Sequence, residues 1–349
     1  MAKILYSVAG EGNGHAFRSK AVIDHLLKKN EVQVFSHGKG FRYLAKFFPV
    51  KRILGFHIAY INNNTSSILT FLFTLLKFPL MFLWNLRLAY NIIKIKPDVI
   101  ISDFEPFTNY FSYLLFKPLI SIDNQHMISY TKIPKLKNQS LYKIWADIVI
   151  HLFIPKASFR FITTFFYPKL KNNCKNKVKL VEPILRGEIL NAKPTKGNHI
   201  FVYQTSKTYS TLLNTLKETN EDFIIYGFDK EEKDKNLTFR KFNDKKFLKE
   251  LSESKAVIIN GGFTLMGEAL YLGKPVLSIP VKKQFEQNLN AHYLEEMGYG
   301  KYEEDITLIN FFEFMKNLPT YEKNLKNFKH KKNKDFFNDL DKKITELAR

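Results

Sequence analysis

The chain has 349 residues, long for one compact domain, so two domains are expected. Its formal net charge of +21, from 54 Lys and Arg against 33 Asp and Glu, predicts attraction to an anionic partner. The single cysteine, Cys174, excludes an intramolecular disulfide and fits a reducing compartment. No recognition helix, zinc finger or RNP-type signature accompanies the charge, so no nucleic-acid partner is expected. An anionic membrane, an acidic substrate and a merely lysine-rich composition remain.

In chain order, "AKILYSVA" at residues 2–9 reads as a first β-strand and runs straight into "GEGNGHAFRS" at 10–19. No apolar leader precedes it, which fits a cytoplasmic protein. The dinucleotide fingerprint needs G-x-G-x-x-G and an acidic residue about 20 positions on. Here Gly10, Gly12 and Gly14 are spaced two apart, and the next strand, "EVQVFS", leads only to His37 and Gly38. The spacing instead predicts a tight turn opening a helix with His15 in its first turn. That puts an imidazole at the carboxyl end of strand one, where open α/β sheets bind ligands. On its own, His15 also reads as a capping residue without chemistry.

Residues 67–90, "SILTFLFTLLKFPLMFLWNLRLAY", are strongly apolar. Lys77 and Pro79 predict two pieces of about nine residues, too short to span a bilayer that needs roughly 20. Two readings stay open: an interfacial helix pair with Trp84 and Arg87 at headgroup level, or a buried core helix. "NLRLAYNIIKIK" then predicts a helix stopped by Pro97, and "DVIISD" and "LISID" are further strands. Asp103, Glu105, Asn124, Gln125 and His126 follow those strands and are expected to rim the cleft, binding a substrate or bracing loops.

The turn-rich stretch 182–199 predicts a linker. Strands then resume with "IFVYQTS", "DFIIYG", "LTFRKF", "AVIINGG" and "PVLSIP", alternating with helical segments. The expected fold is α/β: a Rossmann-like domain at 1–181, the linker, a second at 200–320, and a cleft between them. Residues 321–349 predict a basic terminal helix. The other histidines lack metal-ligand spacing, and no D-x-D motif ends a strand, so no metal is expected.

Residues 260–291, "NGGFTLMGEALYLGKPVLSIPVKKQFEQNLNA", are the most specific stretch. A strand meets Gly261-Gly262, and a helix begins near Thr264. Such a turn lets a phosphate approach backbone N–H groups at a helix N-terminus. Glu268, at i+4 from Thr264, shares its face and suits a pair of ribose hydroxyls. Glu286 and Gln287 suit sugar hydroxyls.

The pattern G-G-x-T-x-x-x-E-A-x-x-x-G-x-P followed by E-Q-x-x-N-A resembles the donor signature of GT-B-type glycosyltransferases. The relatives are the UDP-glycosyltransferases and the N-acetylglucosaminyltransferase acting on the peptidoglycan lipid precursor. "GEGNGH" is similar to the same families' N-terminal loop, although the lipid-precursor enzyme has an additional glycine before its histidine. "SDFEP" and "IDNQH" look like an uncharacterised bacterial and archaeal branch. The resemblance implies a GT-B architecture and an inverting, metal-independent transfer from a UDP-sugar, with no separate cofactor. It places Gly261, Gly262, Phe263 and Thr264 at the donor pyrophosphate, Glu268 at the ribose, and Glu286 and Gln287 at the sugar. Phe242 would flank the base, and Gln204, Thr205 and Ser206 a phosphate. Arg186 is added to the donor groups on charge and position.

His15 would be the general base, with Gly14 beside it and Asp103 orienting the ring; Asp103 or Glu105 as the base is the alternative. A glycan or glycolipid acceptor and an anionic membrane surface are the expected partners, at the inner face of the cell membrane. Two rival activities remain: a UDP-sugar 2-epimerase on the same architecture, and a non-catalytic binder of anionic membrane or glycan.

Overall fold

The computed structural model describes the backbone of residues 1–55, 60–61, 64–65, 67–204 and 210–348. Its contacts divide into two units: Met1–Ala59 with Ser67–Arg186 and Lys331–Arg349, and Tyr60–Ser66 with Gly187–His330.

The first unit is built on β1 (Lys3–Val8), β2 (Glu31–Ser36) and β3 (Val50–Arg52). A short antiparallel pair, β4 (Tyr60–Ile61) and β5 (Asn64–Thr65), stands outside both large sheets. The first unit continues with β6 (Val99–Asp103), β7 (Leu119–Asp123), β8 (Phe159–Thr163) and β9 (Val178–Val181). All seven of its strands are parallel, in the order β3-β2-β1-β6-β7-β8-β9. Helices cover both faces of such a sheet, so its central strands are buried throughout; β6 and β7 expose no residue. The strand order reverses between β1 and β6, and ligands bind beyond the carboxyl ends at such a switch point.

The second unit repeats the plan with β10 (His199–Tyr203), β11 (Asp222–Tyr226), β12 (Glu232–Asp234) and β13 (Leu237–Arg240). It is completed by β14 (Ala256–Ile259), β15 (Val276–Ser278) and β16 (Gly300–Tyr302). The order is β12-β13-β11-β10-β14-β15-β16, parallel apart from edge strand β12. Its switch point lies between β10 and β14. Ile200, Val202, Phe223, Ile225 and Ile258 pack one face against Phe311 and Phe314.

The structure differs from the sequence reading at the apolar segment and at the domain limits. Pro79 does not divide the apolar segment: one helix runs Ser67–Ile95 with Pro79 inside it. A proline removes one intrahelical hydrogen bond, and a helix this long keeps the turns on either side. The domain limits also move. The first unit extends beyond 181 to Arg186, and the terminal segment rejoins it. The reason is amphipathicity: helix Lys334–Leu347 buries Phe336, Leu340 and Ile344. Phe336 meets Phe161 of β8 edge-on at 5.4 Å, and His25 stacks on Phe337 at 4.1 Å. The Asp341 carboxylate lies 2.9 Å from His25 Nε2.

Candidate active site

At the first switch point, β1 ends at Val8 and helix Asn13–Leu26 starts after four intervening residues, with Gly12 as its N-cap residue. Gly10 is glycine by necessity, since a Cβ there would lie 1.9 Å from the His37 carbonyl oxygen. This close approach lets the Gly10 N–H donate to His37 Nε2 at 3.0 Å. Gly14 and His15 are the second and third residues of the helix.

Asp103 closes β6 and is fully buried. Four groups converge on its carboxylate. Ser19 Oγ donates to Oδ2 at 2.8 Å, Arg18 Nε to Oδ2 at 2.7 Å, and Arg18 Nη2 to Oδ1. His15 Nδ1 lies 2.7 Å from Oδ1. Burial opposes ionisation of Asp103, but the Arg18 guanidinium and the His15 ring outweigh it and hold the carboxyl below its usual range. An ionised Asp103 only accepts, so Nδ1 carries the ring proton. Arg18 Nη2 also lies 2.9 Å from Nδ1, but two donors cannot bond each other, so with Nδ1 protonated the guanidinium donates to the carboxylate. His15 Nε2 is then the basic lone pair, on a side chain 17% exposed. Arg18 and Ser19 were not singled out from the sequence. They stand at i+3 and i+4 from His15, the spacing that shares a helix face.

Glu105 is spent elsewhere. It is the N-cap of helix Pro106–Leu114, accepting from Phe107 N, Thr108 N and Thr108 Oγ1, each at 2.8 Å. Fully buried, its carboxylate is committed to capping that helix.

A second imidazole–carboxylate pair sits one strand away. Asp123 ends β7, and its carboxylate oxygens lie 2.7 and 2.8 Å from His126 Nδ1. Asp123 also accepts from His126 N and from Ser121 Oγ. Burial opposes its ionisation, but His126 and these hydrogen bonds keep it well below the carboxylate range. His126 Nε2 is buried without a partner. The Phe104 ring lies 6.5 Å from that of His15 and 6.4 Å from that of His126. Asn124 braces a neighbouring strand through Nδ2 to the Thr163 carbonyl, whereas Gln125 Oε1 is buried and unpartnered.

At the second switch point, Gln204 follows β10 and is fully buried, with neither Oε1 nor Nε2 partnered. An unpaired buried amide is costly, so a water or a ligand's polar atoms are expected beside it. Thr205 and Ser206 lie outside the described residues. The parallel register aligns Tyr203 with Ile259 and Ile259 with Ser278, so Gln204, the glycine turn and Ser278 share one sheet edge. Ser278 Oγ is likewise buried and unpartnered. Gly261 has φ +80, and a Cβ there would meet the Gln287 carbonyl oxygen at 2.7 Å. Asn290 Nδ2 donates to Gly261 O at 3.1 Å and holds the turn.

Gly262 is the N-cap of helix Phe263–Tyr271, and a Cβ at Gly262 would meet nothing. Thr264 and Glu268 are buried in that helix. Glu268 is its sixth residue, so it is not an acid drawn to the first turn by the dipole. Gln287 accepts from Val281 N at 2.9 Å through Oε1, which braces the loop before its helix. Glu286 is half-buried in the first turn of that helix, Phe285–Glu296. Phe242, after β13, is half-buried with its ring 5.3 Å from Phe247. Arg186 belongs to the first unit, buried with its guanidinium 3.9 Å over the Phe17 ring. Charge and linker position suggest a donor role for it, which this contact does not test.

The family described as glycosyl transferase family 1 matches residues 2–319. The chain belongs to that family. It is 24% identical over 327 residues to an uncharacterized glycosyltransferase of Methanosarcina acetivorans, covering 86% of this chain and 85% of the relative. A Methanosarcina mazei glycosyltransferase is 47% identical over 51 residues, 15% of this chain and 14% of the relative. Among solved structures, the glycotransferase of kitacinnamycin aligns over 100% of both chains with TM-score 0.69 at 13% identity. Arabidopsis thaliana UGT89C1 complexed with UDP aligns over 100% of both with TM-score 0.64 at 15% identity. The chain is thus a glycosyltransferase of GT-B fold, with a Rossmann-like sheet in each unit. The epimerase and the non-catalytic binder give way to a transferase.

Proposed function

We propose that this glycosyltransferase moves a sugar from a UDP-sugar to an acceptor hydroxyl with inversion, using His15 as general base. The observation that carries the reading is the His15–Asp103 pair at the first sheet's switch point, with Nδ1 committed to Asp103 and Nε2 left to take a proton. In the step, the acceptor O–H gives its proton to Nε2 while its oxygen bonds to the anomeric carbon. The bond from that carbon to the diphosphate oxygen breaks, and UDP leaves with the electron pair. Asp103 holds the ring's tautomer and balances the imidazolium that forms.

The donor is assigned to the second unit. Gly261, Gly262, Phe263 and Thr264 suit the diphosphate at a helix N-terminus, Gln204 a phosphate oxygen, and Glu268 the ribose. Phe242 suits the base, and Glu286 and Gln287 the sugar. Backbone N–H groups and the helix dipole absorb the leaving group's charge, so the reading needs no metal or further cofactor. A relative of the same fold solved with UDP and with UDP-L-rhamnose supports the donor class. For the acceptor we favour a lipid-linked or cell-envelope glycan met at the cytoplasmic membrane face. No helix among the described residues is long and apolar enough to cross a membrane.

The test is a thermal-shift and calorimetric screen of UDP-sugars on the full chain, followed by Glu268→Ala. Two charge-assisted hydrogen bonds to ribose contribute about 2–4 kcal/mol, so UDP binding is expected to weaken at least tenfold. Unchanged affinity in a folded variant removes the nucleotide from this helix. Conversion of a UDP-sugar to its epimer without acceptor would end the transferase reading.

A further inference from the structure

The three helices over one face of the first sheet are apolar on both sides. Helices Ser67–Ile95, Pro106–Leu114 and Ser140–Phe153 cover this face. Their inward residues, Ile92, Phe111 and Phe153, join a core with Leu5, Ile100 and Leu119. The second and third are tied together by Asn109 Nδ2 to Phe153 O at 3.0 Å and Tyr110 OH to Leu152 O at 2.5 Å.

Their outward faces should be polar in a protein surrounded by water. They are not. Leu76, Leu83, Leu141 and Trp145 are 77%, 63%, 71% and 63% exposed, and Phe116, just past the second helix, is 95% exposed. Of the 24 large hydrophobics exposed among the described residues, 17 lie on these helices or at Phe116, so the exposure is concentrated and not scattered.

The charge on this face is mostly positive. Lys77, Arg87, Lys94, Lys117 and Lys143 lie on or between the helices, Lys156 just past the third, and the first two helices contain no acid. Asp147, on the third, lies within hydrogen-bond reach of Ser129 and 3.6 Å from His151. Arg87 sits 6.0 Å over the Trp84 ring and Lys156 4.8 Å over Tyr113. Protein interfaces are depleted in lysine, whereas surfaces that rest on lipid combine Trp and Leu with Lys and Arg.

We propose that this three-helix face lies on an anionic bilayer, its apolar side chains at the acyl boundary and its lysines among headgroup phosphates. The proposal deepens the acceptor reading above by giving the enzyme the surface on which a lipid-linked substrate is met. Its test involves no turnover, so it fails separately from the assignment of the reaction.

Both tryptophans of the chain, Trp84 and Trp145, are on this face and exposed, so they report without labelling. The full chain is titrated with phosphatidylcholine vesicles and with vesicles also containing phosphatidylglycerol. Binding to the anionic vesicles is expected, with blue-shifted tryptophan emission, quenching by acyl-chain quenchers, and loss at high salt. Ile144→Ser with Ile148→Ser, both at exposed positions, should weaken partitioning at least tenfold with an unchanged melting midpoint. Three results overturn the proposal: no emission change with anionic vesicles at low salt, unchanged partitioning of the folded double variant, or concentration-dependent dimerisation that shields the tryptophans without lipid.

Discussion

Replacing Asp103 by Asn changes one oxygen for a nitrogen and little else in shape, yet its expected cost is large. In the folded protein the carboxylate is fully buried and answers an Arg18 guanidinium whose side chain is 4% exposed. Asparagine removes the negative charge and leaves Arg18 as an uncompensated buried cation. Breaking a buried pair by removing one partner costs about 3–5 kcal/mol. At about 2–4 °C per kcal/mol for a unit of this size, the first unit's melting midpoint should fall by roughly 6–20 °C. The pH dependence is an internal check. Because the folded state holds Asp103 below its ordinary value, its contribution is complete above the unfolded carboxyl's pKa of about 3.9 and is lost as pH falls through the folded one. Calorimetry of both proteins should therefore give a constant gap from about pH 5 to 7 that narrows below about pH 4. A variant as stable as the parent, or a gap that widens on acidification, would refute the ion-pair account of this site.

His15→Ala should behave oppositely. It loses about 1 kcal/mol of stability with one hydrogen bond, while turnover falls about 10²-fold or more and UDP affinity holds within a few-fold. Near-normal turnover in a UDP-release assay would pass the base role to Asp103. Gln204→Leu removes a buried amide that has no partner, so the unliganded protein should keep its melting midpoint or gain about 1 kcal/mol. Calorimetric UDP affinity should meanwhile drop about tenfold, and a variant that only loses stability would make Gln204 structural. Leu340→Ala opens a cavity where the terminal helix meets the first unit and should cost about 2–5 kcal/mol by chemical denaturation. An unshifted midpoint would show that the helix is a dispensable appendage.

The central strands were legible because a strand buried on both faces is an unbroken apolar run. "DVIISD" and "LISID" could be placed nearly to the residue. Strand β8, "FRFIT", escaped because Arg160 interrupts its run; in the fold that guanidinium is buried, 4.7 Å over the Tyr130 ring. Strands of three residues, such as β3 and β16, are too short to carry a period. The His15–Asp103 pairing came from a resemblance, since two residues 88 apart in sequence announce no contact of their own. Arg18 was readable by helical spacing from His15, and His126 by its place three residues after Asp123. The empty hydrogen-bond positions of Gln204 and His126 were not, because an unmade bond depends on everything that surrounds it.

The return of helix Lys334–Leu347 to the first unit has a consequence for the order in which the protein is made. Residues up to Arg186 leave the ribosome long before the residues that cover Phe161 and stack on His25 exist. During that interval the entire second unit is synthesised, and it has its own sheet and core with which to fold. The first unit is begun before the second and completed after it. Its open flank must stay soluble through that delay, which makes a nascent chain stalled between residues 187 and 333 the species most exposed to chaperones and to aggregation. For the same reason, residues 1–186 expressed alone should be poorly soluble, and supplying 331–349 as a grafted segment should restore them.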